Sequence, residues 1–424
     1  MIDIKLIRDN PDLYIQAAKN KRIDADIQKL LDIDSRLKDI KTRLQDIATE
    51  KNRVGKSIPK LSGAERETAL ANLASLKPQE EQLEQEAKVL QPEFDALLLE
   101  VPQPADPEVP VGKDDTENVE VRREGEVRPF GFEPKDHVQL GVALGMMDIE
   151  RGVRLAGTRN YFLKGDGALL HWAVLRFSVD FMVQRGYTPM VVPLLMRDEA
   201  MRGTGYYPGS EEQTYRMERD ELNLVGTAEV PLTAYRMGEI LSEDELPLKT
   251  VGLSSCFRRE AGAAGKDTYG LYRIHQFDKV EQVVVCRSDV EESNKYHAEI
   301  LANSEGVMKA LGLPYRVVIV CTGDLGRGQA KKYDIEAWMP SRKSYSETHS
   351  ASKFHEFQAR RMNLRYKDSK TKKNVYCHTL NNTVIASPRV LIPLMEMYQN
   401  ADGSITIPEV LRPYMGGRDK IGPC

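Results

Sequence analysis

Arginines, carboxylates and glycines are concentrated in two neighbouring segments of the chain. Residues 256–267 read Cys-Phe-Arg-Arg-Glu-Ala-Gly-Ala-Ala-Gly-Lys-Asp, and residues 272–281 read Tyr-Arg-Ile-His-Gln-Phe-Asp-Lys-Val-Glu. Guanidinium groups bind phosphate and carboxylate oxygens through two parallel hydrogen bonds, and they need no glycine-rich loop to do so. The two segments therefore predict a site that holds an anionic substrate.

Other common catalytic and metal-binding patterns are missing from the sequence. Residues 323–329 lack the Lys-Ser/Thr of a phosphate loop, and residues 203–205 lack the third glycine of a dinucleotide-binding turn. No nucleophile elbow and no His-Glu-x-x-His pattern occurs. The five cysteines include no Cys-x-x-Cys pair, and the seven histidines form no ligand-spaced cluster beyond His349 and His355. We therefore expect no structural zinc site.

The composition limits the class of protein and its partners. The chain has 424 residues, enough for one large core or two modest ones, and its 60 basic and 64 acidic residues give a net charge of -4. This balance provides no general attraction to nucleic acid, so any such contact must come from a local basic surface. The N-terminal residues include acids, where a signal or transit peptide would carry only bases. No stretch approaches the roughly 20 apolar residues that span a bilayer. We expect a reduced, cytoplasmic protein with no membrane partner.

The residues that could do chemistry all follow a change of character near residue 102. We divide the chain into a helical arm (1–102), a linker rich in proline and charge with one edge strand (103–135), and a main domain (136–424). Strand-like runs such as 283–285 and 315–320 and helical stretches such as 168–185 alternate irregularly in the main domain. Since regular crossover helices are missing, the pattern favours an α+β fold with helices packed on an antiparallel sheet.

Apolar residues in the arm recur at alternating spacings of three and four, which is typical of a coiled-coil seam. They are Leu30, Ile33, Leu37, Ile40, Leu44, Ile47 and Val54 in a first helix, then Leu73, Leu76, Leu83, Ala87, Leu90, Phe94, Leu97 and Val101 in a second. A proline and a glycine within residues 58–63 predict a turn between the two helices. The arm is therefore predicted to be an antiparallel two-helix coiled coil.

The two arm helices carry opposite charge, because the first is rich in Lys and Arg and the second in Glu. A basic helix face can follow a phosphate backbone without reading bases. The residues that would form this face are Arg36, Arg43, Lys51, Arg53 and Lys56. From these residues alone, a spacer or dimerisation hairpin with a solvated face remains an alternative.

Three segments of the main domain resemble the signature motifs of class II aminoacyl-tRNA synthetases. They are residues 185–193 (motif 1, a helix and a strand ending at Pro193), residues 257–260 with 273–277 (motif 2), and residues 381–389 leading to Glu396 (motif 3). With Thr-Ala-Glu at 227–229 between motifs 1 and 2, the chain closely resembles the seryl-tRNA synthetases over nearly its whole length. This resemblance implies a class II antiparallel sheet domain behind an arm that grips the long variable arm of tRNA(Ser).

The resemblance also implies an activity and an ATP site. Members of this family activate L-serine with ATP and transfer it to the 3′ end of tRNA(Ser), and the sequence leaves open whether tRNA(Sec) is charged as well. By this resemblance Arg258, Arg389 and Glu347 are catalytic, with Arg258 on the α-phosphate and the serine carboxylate and Arg389 on the γ-phosphate. The residues implied in ATP binding are Arg258, Arg259, Glu260, Arg273, Phe277, Glu347, Thr348, His349, Ser350 and Arg389.

A serine pocket, a metal and a dimer are implied in the same way. The residues implied in serine binding are Thr227, Ala228, Glu229, Arg258, Glu281 and Thr383. Glu281 and Thr383 match positions that meet the serine hydroxyl, while Thr227 and Glu229 surround the amino group. Glu347 and Ser350 match oxygen ligands of Mg²⁺, and motif 1 implies a homodimer.

Two departures from the family pattern and two alternative functions remain to be weighed. His349 replaces a usually small residue, and Lys266 and Tyr269 stand where arginines are common, which we expect to alter contacts to the tRNA acceptor end. A ligase paralogue that charges a carrier protein would lack the arm or have an altered serine pocket. A non-catalytic RNA-binding paralogue would lack Arg258, Arg389 or Glu347, and the sequence retains all three.

Overall fold

The computed structural model describes residues 1–262 and 267–422, so the predicted Lys266 lies outside the described residues. The chain divides into two compact units, Met1–Pro102 and Gln103–Cys424, which we call the arm unit and the sheet unit. No helix within the described ranges is long and apolar enough to cross a membrane. The four cysteines that the structure describes are buried and form no disulfide.

The arm unit consists of helices only. They are α1 (Ile4–Asp9), α2 (Pro11–Lys21), α3 (Ile27–Ser57) and α4 (Gly63–Glu100). Asp26 caps α3 by accepting a hydrogen bond from the backbone amide of Lys29, which satisfies an otherwise unpaired donor of the first turn. A short 3₁₀ turn, Ile58–Lys60, lies between α3 and α4.

The predicted seam lies between α3 and α4. Leu44, Leu76, Ala87 and Leu90 are partly buried and pack against the buried Ile40, Ile47 and Leu83. The other buried members are Leu30, Ile33, Val54 and Val101. Ion pairs join Lys29 to Glu93 and Arg36 to Glu86, so residues early in α3 lie beside residues late in α4. The predicted antiparallel two-helix arm is confirmed.

The sheet unit is built on an eight-stranded sheet. Its strands are β1 (Val119–Glu124), β2 (Thr188–Met190), β3 (Leu248–Phe257), β4 (Gln276–Cys286), β5 (Tyr315–Ile319), β6 (Lys331–Met339), β7 (Ser344–Lys353) and β8 (His378–Ser387). Their order in space is β1-β5-β6-β7-β8-β4-β3-β2, and all neighbours are antiparallel except the parallel pair β2 and β3. The predicted antiparallel sheet is confirmed, and β1, from the segment 103–135, forms one edge.

Helices and short strands surround this sheet. The helices are α5 (His137–Ala143), α6 (Ile149–Ala156), α7 (Asp166–Val183), α8 (Asp198–Thr204), α9 (Glu229–Ala234), α10 (Val290–Ala310), α11 (Phe357–Met362) and α12 (Leu391–Met397). The short strands are Met147–Asp148, Phe162–Leu163, Leu195–Met196, Arg216–Met217, Leu222–Leu224, Ile240–Ser242, Arg365–Lys367, Asn374–Tyr376, Ile405–Thr406 and Lys420–Ile421.

Strand β4 separates the main core from the face that carries charged side chains. Because side chains alternate along a strand, Val280 and Val284 share one face, where they pack in one core with Leu170 of α7 and Ile300 of α10. The side chains of Phe277, Lys279 and Glu281 belong to the other set of positions.

The predicted end of the motif 1 strand at Pro193 is wrong, because β2 already ends at Met190. β2 pairs with β3 at only three positions, and the Val191 side chain just beyond it is fully exposed. Pro193 has no amide hydrogen to continue a ladder, and the carbonyl of Leu194 accepts a hydrogen bond from Val225 in another part of the unit. The chain is therefore drawn away from the main sheet.

Candidate active site

A cleft over β4, β7 and β8 brings together residues that were predicted to be catalytic, to bind ATP and to bind serine. Among the residues that line it are Arg258, Glu260, Phe277, Glu347, Ser350, Thr383 and Arg389. Arg273 lines an adjoining region of the same cleft together with Arg258 and Arg389. Segments that are more than 100 residues apart in sequence therefore meet in one place.

A bulge in β7 determines which of its side chains share a face. Glu347 lies opposite Glu336 of β6 and His349 lies opposite Ile335, so Thr348 is an extra residue without a partner position. One extra residue reverses the alternation of a strand. Glu347 and Ser350, three positions apart, consequently lie on the same face.

Strand β8 contains a second bulge with the same effect. Thr383 lies opposite Glu281 and Ile385 lies opposite Val280, so Val384 is the extra residue. The bulge places Thr383 and Ala386 on one face, and both line the cleft.

Arg258 follows the end of β3 and points into the cleft. Its backbone amide donates to the carbonyl oxygen of His275 at 2.9 Å, which joins the two sides of the motif 2 segment. The guanidinium carbon lies 5.2 Å from the centre of the Phe277 ring, a cation–π distance. Its Nε donates to the carbonyl oxygen of Gly226 at 3.4 Å, and the side chain lines the cleft.

Arg389 is held from two sides. Its Nε donates to the carbonyl oxygen of Tyr272 at 3.1 Å, and its Nη1 donates to the carbonyl oxygen of Glu347 at 3.1 Å. The guanidinium carbons of Arg389 and Arg342 lie 4.5 and 4.3 Å from the centre of the Tyr272 ring. Arg342, which the sequence analysis missed, thus adds a further cation to this cleft; its short 3₁₀ turn carried no recognisable motif.

Glu347 is ionised beside these arginines. Its side chain is 49% exposed, and its Oε2 lies 4.0 Å from Nη1 of Arg389. Desolvation opposes ionisation, but the charges of Arg389, Lys332 and Arg258 outweigh it and hold the pKa of the Glu347 carboxyl below its usual range. A charged carboxylate and the Ser350 hydroxyl on one face are hard oxygen donors, which suit Mg²⁺. These two residues fit a site that phosphate oxygens and water would complete.

A buried polar cluster lies on β4 and β8. Lys279, Glu281 and Thr383 are 6%, 2% and 5% exposed. The Lys279 ammonium forms an ion pair with Glu281, and the Thr383 hydroxyl donates to Oε2 of Glu281 at 3.3 Å. The sequence analysis missed Lys279, although its position two residues before Glu281 in a strand was a signal that both share a face.

Glu229 is the second buried carboxylate of this region. Its Oε2 accepts a hydrogen bond from the Tyr206 hydroxyl at 3.0 Å, and its Oε1 accepts one from Nε2 of Gln358 at 3.0 Å. Burial, and then the negative charge of Glu281, raise the pKa of the Glu229 carboxyl to about 7. Its backbone amide donates to the Thr227 hydroxyl at 3.1 Å, and Ala228 between them is fully buried.

Three of the residues that were predicted to bind ATP contact other side chains of the protein. Arg259 is half exposed and its Nη1 lies 4.0 Å from the Glu212 carboxylate, outside the lining. Glu260 pairs with Arg273 within the cleft. His349 is buried in the wall with its Nδ1 2.7 Å from the Thr348 hydroxyl, and burial lowers the pKa of His349 to about 4.

The predicted basic face of the arm unit is largely paired. Arg36 binds Glu86 and Lys51 binds Glu80, both on α4, while Arg53 binds Glu50 and Arg43 lies 3.9 Å from Asp39. Lys56 is exposed. Its ammonium makes no ion pair or hydrogen bond with any residue that the structure describes.

Two family models match the chain. The model for the "Seryl-tRNA synthetase N-terminal domain" matches residues 1–104, and the model for the "tRNA synthetase class II core domain (G, H, P, S and T)" matches residues 213–398. The first covers the arm unit, and the second contains the residues described above at the cleft except Tyr206.

Individual relatives match over their whole length. The chain is 48% identical to a serine–tRNA ligase of Deinococcus radiodurans over 422 residues, which covers 100% of this chain and 99% of that protein. The structure of seryl-tRNA synthetase from Pyrococcus horikoshii complexed with ATP is 36% identical with a TM-score of 0.94, and each chain is covered to 100%. The cytoplasmic serine–tRNA ligase of Naegleria fowleri in complex with AMP is 32% identical with a TM-score of 0.89, covering 100% of this chain and 99% of that chain.

Proposed function

Because the chain belongs to the seryl-tRNA synthetase family, we propose that its cleft activates L-serine with ATP and transfers it to the 3′ end of tRNA(Ser). The enzyme is an ATP-dependent serine–tRNA ligase. The observation that carries our assignment of residues is the convergence of Arg258, Arg389 and Glu347 on one cleft. The same convergence argues against a non-catalytic paralogue, and the complete arm unit argues against a ligase for carrier proteins.

In the first step a serine carboxylate oxygen attacks the α-phosphorus of ATP, and pyrophosphate leaves. Both reactants are anionic, so positioning and charge neutralisation dominate the rate. Arg258 would bind the α-phosphate and the serine carboxylate, while Arg389 would bind the γ-phosphate. The Phe277 ring would lie under the adenine, with Glu260 near its amino group.

Glu347 and Ser350 would hold Mg²⁺, with further oxygens from ATP and water. When bound, the metal would neutralise charge on the phosphates. The lowered pKa of the Glu347 carboxyl supports this role, because the neighbouring cations favour the charged form that binds a divalent cation.

The buried cluster of Lys279, Glu281 and Thr383 would recognise the serine hydroxyl. Alanine offers no hydroxyl and would leave these buried groups without a partner, which costs more than the loss of one ordinary contact. Glu229, with Thr227 beside it, would bind the ammonium. In the second step a terminal ribose hydroxyl of tRNA attacks the adenylate carbonyl carbon, AMP leaves, and we propose that a substrate phosphate oxygen accepts the proton.

The arm unit would bind tRNA(Ser) through α3, with Lys56 as the best placed of the predicted residues because it is exposed and pairs with none of the residues that the structure describes. We propose a homodimer, supported by an apolar surface on α7, on β3 and just beyond β2, where Trp172 is 62%, Leu253 42% and Val191 101% exposed. Since tRNA charging supplies translation, we place the enzyme in the cytoplasm.

The test of this proposal is serine-dependent exchange of pyrophosphate into ATP. We expect Arg258→Ala to reduce kcat/KM at least about 100-fold, because charge-assisted contacts to the reacting phosphate are lost. Arg123→Ala is the matched control, since Arg123 pairs with Glu120 on the edge strand β1. Robust exchange by Arg258→Ala would refute the role assigned to this residue.

A further inference from the structure

We propose that Gln358 and Tyr206 are positioning residues for serine, which fix the Glu229 carboxylate so that its free lone pairs receive the substrate ammonium. This inference rests on the proposed role of Glu229. It adds two residues from α11 and from the turn after α8, neither of which belongs to the signature motifs.

The orientation of the Gln358 amide is fixed by three hydrogen bonds. Its Nε2 donates to Oε1 of Glu229 at 3.0 Å and to the carbonyl oxygen of Thr204 at 2.9 Å. Its Oε1 accepts from the Thr379 hydroxyl at 2.6 Å. The side chain is 1% exposed, so water cannot replace these partners. If the Gln358 amide were flipped, its oxygen would face the Glu229 carboxylate. Only the observed orientation of the amide is therefore favourable.

Tyr206 holds the other oxygen of the same carboxylate. Its hydroxyl donates to Oε2 of Glu229 at 3.0 Å, while Gln358 occupies Oε1. An ionised carboxylate accepts about four hydrogen bonds. With one position taken on each oxygen, the carboxylate plane is fixed and acceptor positions remain for an ammonium.

Close packing of α8 on α11 places these two donors. A Cβ atom on Gly203 would lie 2.6 Å from Cγ of Met362, and one on Gly205 would lie 3.1 Å from the Phe357 ring. Gly205 also has a φ of 86°, which favours glycine. In addition, Nη1 of Arg361 donates to the carbonyl oxygen of Tyr207 at 2.9 Å. The turn that carries Tyr206 is therefore fixed against the helix that carries Gln358.

The charges around Glu229 explain why its carboxylate needs fixed donors. Glu281 on β4 is a second buried carboxylate, Lys279 on β4 is the nearby cation, and Arg258 and the Tyr206 hydroxyl are the other charged or titratable groups of this region. Burial and Glu281 disfavour the charged form of Glu229, whereas Lys279 and then the hydrogen bonds from Tyr206 and Gln358 favour it and lower its pKa. An ammonium pairs with the charged form, so both donors favour the form of Glu229 that binds serine.

The experiment measures KM for serine and for ATP in pyrophosphate exchange by Gln358→Met and Tyr206→Phe, which retain the approximate shapes of the side chains. We expect each to raise KM for serine about tenfold or more and to leave KM for ATP unchanged, as expected for a lost hydrogen bond to a charged group. Arg360→Gln on the same helix is the matched control, because its guanidinium binds Glu356 at 2.7 Å.

Two further readouts separate positioning from a general loss of structure. Competitive inhibition by L-glycerate, which has a hydroxyl in place of the ammonium, should change less than about twofold in Gln358→Met. The pH at which KM for serine reaches its low plateau should move upward, since a donor that lowers the pKa of Glu229 has been removed. Equal weakening of serine and glycerate, or an unchanged KM for serine, would overturn the inference.

Glu229→Gln distinguishes the inference from the proposed function. An unchanged KM for serine in Glu229→Gln would refute the assignment of the ammonium to Glu229, and with it the role of its two donors. A large increase in Glu229→Gln without one in Gln358→Met or Tyr206→Phe would refute only the positioning role.

Discussion

The arm unit and the sheet unit both bring opposite charges together, but in different surroundings. The Lys29–Glu93 pair of the arm has side chains that are 53% and 41% exposed, whereas the Lys279–Glu281 pair of the sheet unit is 8% and 2% exposed. Water competes for an exposed pair, which contributes little and can exchange partners. Water does not replace the partner of a buried pair, and removing one member leaves an uncompensated charge. Exposed pairs of the arm such as Lys29–Glu93 can therefore exchange partners when a ligand binds, whereas the Lys279–Glu281 pair is held in one arrangement.

The apolar contacts of the arm unit are also less extensive than those of the sheet unit. The seam between α3 and α4 has a small buried cluster of Ile40, Ile47 and Leu83. The sheet unit has a core that extends over both long helices and the central strands. The arm unit is therefore suited to displaying a surface, while the sheet unit is suited to fixing side chains at a site.

We expect the largest effect from removing the arm, which separates the roles of the two units. Deletion of residues 30–100, with a short Gly-Ser connection, should leave pyrophosphate exchange within about threefold of the full chain, because every cleft residue lies in the sheet unit. Aminoacylation of tRNA(Ser) should fall to background, since the basic surface is lost. Equal loss of both activities would mean that the arm is required for folding.

Lowering the pH should change the stability of the sheet unit differently from that of the arm unit. Burial lowers the pKa of His297 to about 4 and that of His378 to about 3, beside His355, Lys353, Lys331, Asp106 and Asp289. Unfolded histidine binds a proton near pH 6.5, so the stabilisation from neutral histidine is complete above that pH and is lost as the pH falls toward 4. We expect the contribution of His297 and His378 to the free energy of unfolding of the sheet unit to decrease by about 2 to 4 kcal/mol from pH 7 to pH 5.

Urea titrations followed by tryptophan fluorescence would measure this change, because both tryptophans, Trp172 and Trp338, lie in the sheet unit. His378→Gln should remove roughly half of the contribution of these two histidines, so the variant should lose less stability on acidification than the unchanged chain. An unchanged dependence in that variant would contradict the assigned cause. The arm has no histidine, and its helical circular dichroism should not follow the same titration.

The smallest effects are expected from single charges of the arm. Lys56→Ala should raise KM for tRNA(Ser) several-fold and reduce the salt dependence of tRNA binding by about one phosphate contact. Arg36→Ala should have a smaller effect, because the Arg36 guanidinium already binds Glu86 with an Nη2–Oε2 distance of 2.8 Å. KM for serine should not change in either variant. A larger effect of Arg36→Ala would show that Arg36 exchanges Glu86 for phosphate.

Much of the fold could be predicted from local pattern. The seam of α3 and α4 was readable because a helical period repeats over many residues, and the signature residues Arg258 and Arg389 were readable because their neighbours are distinctive. The end of β2 was predicted three residues too late, because a valine-rich run has the same pattern whether or not a neighbouring strand remains to pair with it. The ion pairs that cover Arg36 and Lys51 could not be predicted without the packing of α3 on α4.

The sequence by itself determined the two-unit organisation, the helical arm and the chemical types at the site, since these depend on composition, periodicity and short motifs. The tertiary structure alone decided which side chains face one another. Bulges at Thr348 and Val384 place Glu347 with Ser350 and Thr383 with Ala386, against the ordinary alternation of a strand. Gln358 reaches Glu229 only through the packing of α11 on α8. A bulge or a helix contact depends on partners distant in the chain, and no local pattern of residues contains that information.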